Sequence, residues 1–216
     1  MADQVHDSLL KEIDEELRQE HYAKLWKKYG NYVIGAAVLL VVAVAGYQGW
    51  RHWDLKNRQE MGDRFAQAIT QSANAPQDAA KTLSGLAEDG GGYGLLARFQ
   101  QAALLAKSGD TAGAAAAYEA IAKDGGTDAL YQNLATLLSV LTRLQTGDPD
   151  QLSQQLAPLT AADNPWRYSA QEAAALLALR GGDTARAREL LDALIADAGT
   201  PSGIRARAEA LRGSLG

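Results

Sequence analysis

The chain has 216 residues, a formal charge of −5 from 21 Lys and Arg against 26 Asp and Glu, and no cysteine. The missing cysteine excludes disulfides, thiolate metal sites and thiol nucleophiles. The acidic balance, with no basic stripe to neutralise phosphates, argues against a nucleic-acid partner.

Residues 7–28, DSLLKEIDEELRQEHYAKLWKK, carry Leu10, Ile13, Leu17 and Leu25 on one face of a predicted helix. Acidic residues crowd its start, and Lys24, Lys27 and Lys28 its end, which suits the helix dipole. The plain reading is a solvated helix that runs on into the apolar stretch beginning at Tyr29. The sharper one is an interaction helix lying on a membrane or a partner.

Tyr29 to Trp50, YGNYVIGAAVLLVVAVAGYQGW, is a run of 22 residues without a charge. As a helix it rises roughly 33 Å, enough for a hydrocarbon core of about 30 Å. Trp26, Tyr29 and Tyr32 precede the apolar centre, and Tyr47, Trp50 and Trp53 come after it. Such rings prefer headgroup depth, so these six are the expected membrane-interface residues. A signal peptide would have a shorter apolar region ending at small residues, not at Tyr47, Trp50, Arg51 and Trp53. The expectation is an uncleaved membrane-spanning helix over 29–50, with 1–28 and 51–216 on opposite sides. Flanking charge does not orient it: Arg18, Lys24, Lys27 and Lys28 stand against Arg51, Lys56, Arg58 and Arg64. Ala45 and Gly49 form a small-residue pair, a weak signal for helix pairing.

Beyond the span the pattern predicts an all-α domain. Helices are expected at about 55–73, 77–88, 93–108, 111–123, 127–146, 149–161, 166–180, 184–197 and 201–213, separated by Gly, Asn and Pro turns. Aligning Gly109-Asp110, Gly147-Asp148 and Gly182-Asp183 exposes a repeat of 38 and 35 residues. Five positions after each Gly stand Ala114, Leu152 and Ala187; nine after, Tyr118, Leu156 and Leu191; twelve after, Ile121, Leu159 and Leu194. A fainter copy from Asn74 places Ala79, Leu83 and Leu86 at the same offsets. A period of this length, two helices per copy, predicts a helical solenoid. Gly closes the first helix in the left-handed conformation, Asp caps the second, and the three apolar offsets share its buried face. Leu152 replaces a small residue at the closest approach, so looser or differently angled packing is expected in that copy.

No constellation of reactive groups stands out. His6, His21 and His52 share no metal-ligand spacing, and His52 is the only histidine after the span. Asp89-Gly90-Gly91-Gly92-Tyr93-Gly94 is glycine-rich but lacks the Lys-Ser/Thr that ends a phosphate loop, and reads as a helix connector. The expectation is a non-enzymatic protein with no cofactor, no metal and no small-molecule substrate.

LLAKSGDTAGAAAAYEAIAKD and LLALRGGDTARARELLDALIAD resemble the helix junction of the tetratricopeptide repeat. Ala114, Tyr118, Ala187 and Leu191 match its small and large packing positions, and Ala102 and Ala175 the small residue of its first helix. The tryptophan opening each repeat and the proline closing it are absent. The whole chain, through KLWKKYGNYVIGAAVLLVVAVAGYQGWRHW and the divergent repeats after it, is similar to the YfgM-like family of ancillary Sec translocon subunits. That resemblance implies a bacterial inner-membrane protein with a cytosolic N-terminus and periplasmic repeats. It further implies contact with translocon subunits, periplasmic chaperones and secreted clients. Scaffolding of another envelope assembly (cell division or cytochrome maturation), or capture of a cytosolic regulator by residues 7–28, is the alternative. Repeat solenoids bind along their concave face. On the repeat alignment Leu96, Phe99 and Ala103 of the second pair and Leu137, Leu141 and Gln145 of the third would line it. Trp166, in Asn164-Pro165-Trp166-Arg167-Tyr168, is either packed into the solenoid or a partner contact.

Overall fold

The computed structural model describes the backbone over residues 2–216 and side chains over 23–216. The expected apolar face at Leu10, Ile13 and Leu17, and His6 and His21, lie outside the described side chains. Among the described residues every regular element is helical. The order is α1 (Ala2–Gln71), α2 (Pro76–Asp89), α3 (Gly91–Lys107), α4 (Thr111–Ala122), α5 (Ala129–Thr142), α6 (Pro149–Leu156), a 3-10 turn (Ala157–Thr160), α7 (Arg167–Arg180), α8 (Thr184–Ala196) and α9 (Ser202–Ser214). The runs expected separately at 29–50 and 55–73 belong to one helix, α1. Nothing between Trp50 and Leu55 carries the Gly or Pro that would end it.

The chain divides between Glu60 and Met61 into two units. In the first, side chains from Asn31 to Trp53 are exposed all round the helix. Val33, Ile34, Val38, Leu39, Leu40, Val41, Val42 and Val44 are each more than half exposed. α1 is one helix long and apolar enough to cross a membrane.

In the second unit each helix packs on its chain neighbours, as in a solenoid. The core is a run of clusters rather than one centre. Ala68, Leu83, Leu86 and Ala97 form one, and Ala102, Tyr118, Ile121 and Ala135 the next. Leu137, Val140, Leu152, Leu156 and Leu177 lie in a third, and Ala175, Leu191, Leu194, Ile204 and Ala208 in the last. All twelve residues at the +5, +9 and +12 offsets of the four copies are buried, from Ala79 to Leu194. Ala102 and Ala175 are fully buried as well.

The turn chemistry repeats with the helices. Asp110, Asp148 and Asp183 cap α4, α6 and α8, accepting from the amides of Gly113, Gln151 and Arg186 at 2.8–2.9 Å. Gly109 and Gly182 take φ of +90° and +83°, where a Cβ would be strained. Asp110→Ala and Asp183→Ala are each expected to cost about 1 kcal/mol, read as a lower urea midpoint with an unchanged slope.

The middle copy departs from the pattern. Gly147 is not in the left-handed region, α5 stops at Thr142, and residues 143–147 make a longer turn. The α5–α6 pair is the loosest of the consecutive pairs from α2 to α9. Leu152 packs directly over Gly147, where a Cβ would stand 2.9 Å from its Cδ1. α6 is also shorter than expected and passes into the 3-10 turn at Ala157. Pro158 lacks an amide, and its ring crowds the preceding turn. The Arg180 guanidinium closes the gap by donating to the carbonyls of Leu144 and Gly147.

Candidate functional site

The six aromatic residues expected at a membrane interface are all uncovered by the rest of the chain. Trp26, Tyr29, Tyr32, Tyr47, Trp50 and Trp53 are between 48% and 77% exposed. Trp26 lies along its own helix, its ring within 3.2 Å of where a Gly30 Cβ would stand. A helix with this much uncovered apolar and aromatic surface has no stable place in water without a partner or a lipid phase.

In the second unit the expected partner-binding residues separate into surface and core. Leu96 and Leu141 are exposed large hydrophobics, and Gln145 is exposed beside the α5–α6 turn. Ala103 is half-buried. Phe99 is half-buried, its ring 6.1 Å from Tyr118 and 6.5 Å from Tyr131. Leu137 is a correction: at 3% exposure it belongs to the core cluster with Val140 and Leu156, so it presents no surface. Trp166 packs against the same cluster, and its indole Nε1 donates to the Leu130 carbonyl at 2.9 Å. That is the packed reading, and the bond ties the start of α7 to the start of α5.

Two exposed residues were missed from the pattern. Leu130 and Tyr131 open α5 and are 40% and 39% exposed. The available signal was Asp128, whose carboxylate accepts from the Leu130 amide at 2.8 Å and fixes the helix start. With the start known, both fall in the first turn, where no preceding turn covers them.

Electrostatics here are structural. Arg98 of α3 donates to Asp124 in the α4–α5 turn at 2.6 Å. That bond, with those from the Gly126 amide and Thr127 hydroxyl, holds the Asp124 carboxyl below the usual carboxylate range. Asp197 is held low by the Gly199 amide first, then by Tyr168 and Arg167. Both folded values lie below the unfolded one of about 3.9, so their stabilisation is complete above that pH and lost as pH falls through the depressed values. Thermal melts from about pH 6 down to about pH 2.5 should show the loss only below about pH 4, and Asp124→Asn should shrink it.

Among the described residues no group of three or more His, Asp or Glu is placed to hold a metal. A family model described as tetratricopeptide repeat-like domain matches residues 23–199. The chain belongs to the tetratricopeptide repeat-like family. Among curated proteins and among solved structures, none matches it. The match opens at Ala23, so the apolar stretch of α1 lies within it, and it closes at Gly199, before α9. Tetratricopeptide repeat-like domains are protein-interaction modules, whose extended stacked surface serves binding of protein partners. In this one, α9 covers the last repeat with Ile204 and Ala208 and ties to α7 through Arg207 on Glu172, at 2.5 and 2.7 Å.

Proposed function

We propose that the chain is a single-pass membrane adaptor of the bacterial inner membrane. Residues 29–50 cross the bilayer, 1–28 face the cytosol, and the repeats work in the periplasm beside the Sec translocon. There they receive secreted or envelope proteins and pass them to periplasmic chaperones. The observation that carries this reading is the pairing, within one family match, of an uncovered apolar helix with interaction repeats. The translocon and the orientation come from the resemblance of the membrane-entry sequence, KLWKKYGNYVIG, to YfgM-like subunits.

The work is recruitment rather than catalysis. Anchoring confines the repeats to the membrane plane, so that contacts weak in solution hold at high local concentration. Val38, Val42 and Phe99 are the positions to test. Photoreactive residues there, with adducts identified by mass spectrometry, are expected to join the helix to translocon subunits, and Phe99 to secreted chains or chaperones. Adducts confined to cell-division or cytochrome-maturation proteins would assign the adaptor to another envelope machine and overturn the translocon reading.

A further inference from the structure

The repeat unit has few exposed large hydrophobics: Ile69, Leu96, Leu130, Tyr131 and Leu141. Two of them, Leu130 and Tyr131, open α5 just after the α4–α5 turn. A cleft of about 430 Å³ lies between that turn and the α2–α3 turn, lined by Leu95 and Tyr131 and by the three glycines Gly90, Gly91 and Gly92. The glycine wall is bare backbone. A Cβ at any of the three would meet nothing within 4 Å, and Gly90 and Gly91 have φ of +75° and +66°. The apolar edge continues past the cleft: the Tyr131 ring leans on Phe99, and its chain neighbour, Leu130, holds Trp166 through its carbonyl.

The charge on this edge decides what fits. Arg98 is already engaged by Asp124 and the Ala120 carbonyl. Asp128 lines the cleft, spends one oxygen on the Leu130 amide, and has no basic partner among the described residues. The rim therefore carries one uncompensated negative charge beside exposed aliphatic and aromatic surface.

We propose that this edge cleft takes an extended polypeptide segment in which an aliphatic or aromatic side chain precedes Lys or Arg. The apolar side chain seats against Leu95 and Tyr131, and the cation meets Asp128. The inference rests on the adaptor reading and names the client chemistry of the repeats. The site is the seam between two inter-repeat turns.

The test uses the full chain in nanodiscs of neutral phosphatidylcholine, so that lipid does not attract the probe. The probe is a labelled, unstructured peptide with Leu-Phe-Lys-Arg in a Gly-Ser background, read by fluorescence anisotropy. Asp128→Asn keeps an oxygen to cap α5 but removes the charge. It is expected to weaken binding by about three- to fivefold and to flatten the salt dependence. Tyr131→Ser is expected to weaken binding about tenfold. A peptide with Glu-Glu in place of Lys-Arg is expected to bind more weakly still. Equal binding by the acidic peptide, unchanged affinity in Asp128→Asn, or no binding by the native chain would overturn the cleft. Client adducts at Phe99 would leave the adaptor reading standing in each of those cases, whereas their absence would remove that reading separately.

Discussion

Replacing Val41 and Val42 together with arginine is expected to release the chain from membranes. Both lie in the charge-free run from Tyr29 to Trp50, and both are 63–64% exposed on α1. An arginine near the centre of a spanning helix costs about 2.5–3.5 kcal/mol on insertion scales, so two cost about 5–7 kcal/mol. Snorkelling cannot rescue them, because the hydrocarbon boundary is roughly ten residues away in either direction. Carbonate extraction and then flotation reads the outcome. The native chain should float with lipid and the double variant should stay in the soluble or aggregated fraction. Val41 and Val42 both changed to leucine should float as the native chain does. A double-arginine variant that floats normally would show that this stretch is not the anchor.

Leu191→Ala is expected to destabilise the repeat unit by about 3 kcal/mol, within the usual 2–5 kcal/mol for a buried leucine. Leu191 is fully buried among Ala175, Leu194, Ile204 and Ala208, where α7, α8 and α9 meet. Its neighbours sit on three separate helices and cannot all collapse into the space it leaves. Ala187→Leu tests the other limit. Ala187 is fully buried on α8, so added bulk there is expected to force the packed helices apart, at a cost of about 1–3 kcal/mol. In the middle copy leucine already stands at this position, as Leu152, and there the helix pair is loose. Denaturant midpoints at constant slope measure both changes. Losses of this size are a large part of the roughly 5–15 kcal/mol that holds an ordinary domain together. An Ala187→Leu chain as stable as the native one would show that small residues do not set this helix spacing.

The repeat was legible because each of its signals has a local cause. Asp after Gly marks a cap, and the three apolar offsets mark one face of the helix after it. Both hold in the second and fourth copies, where Gly109 and Gly182 are left-handed and Ala114 and Ala187 are fully buried. The third copy was harder to place. Which face α5 turns inward depends on how α5 and α6 are joined, and that join lies in residues 143–147, held by Arg180 from α7. Thirty-three or more residues separate these partners, so no pattern along the chain reveals the bond. Leu137 consequently faces the core instead of a partner. The edge cleft was hidden for a related reason. Its walls come from two turns brought together by the packing of α3 on α4, and glycine turns read along the chain as connectors only.

The proposed membrane arrangement can be tested directly because the native sequence has no cysteine. Single cysteines at Ala23 and Gln154, both exposed, would be labelled in intact bacterial spheroplasts with a membrane-impermeant maleimide. Gln154→Cys should label at once and Ala23→Cys only after the membrane is opened by detergent. Immediate labelling at both positions, with the chain still bound to membranes, would contradict a spanning helix that sets the repeats in the periplasm and the N-terminal tail in the cytosol.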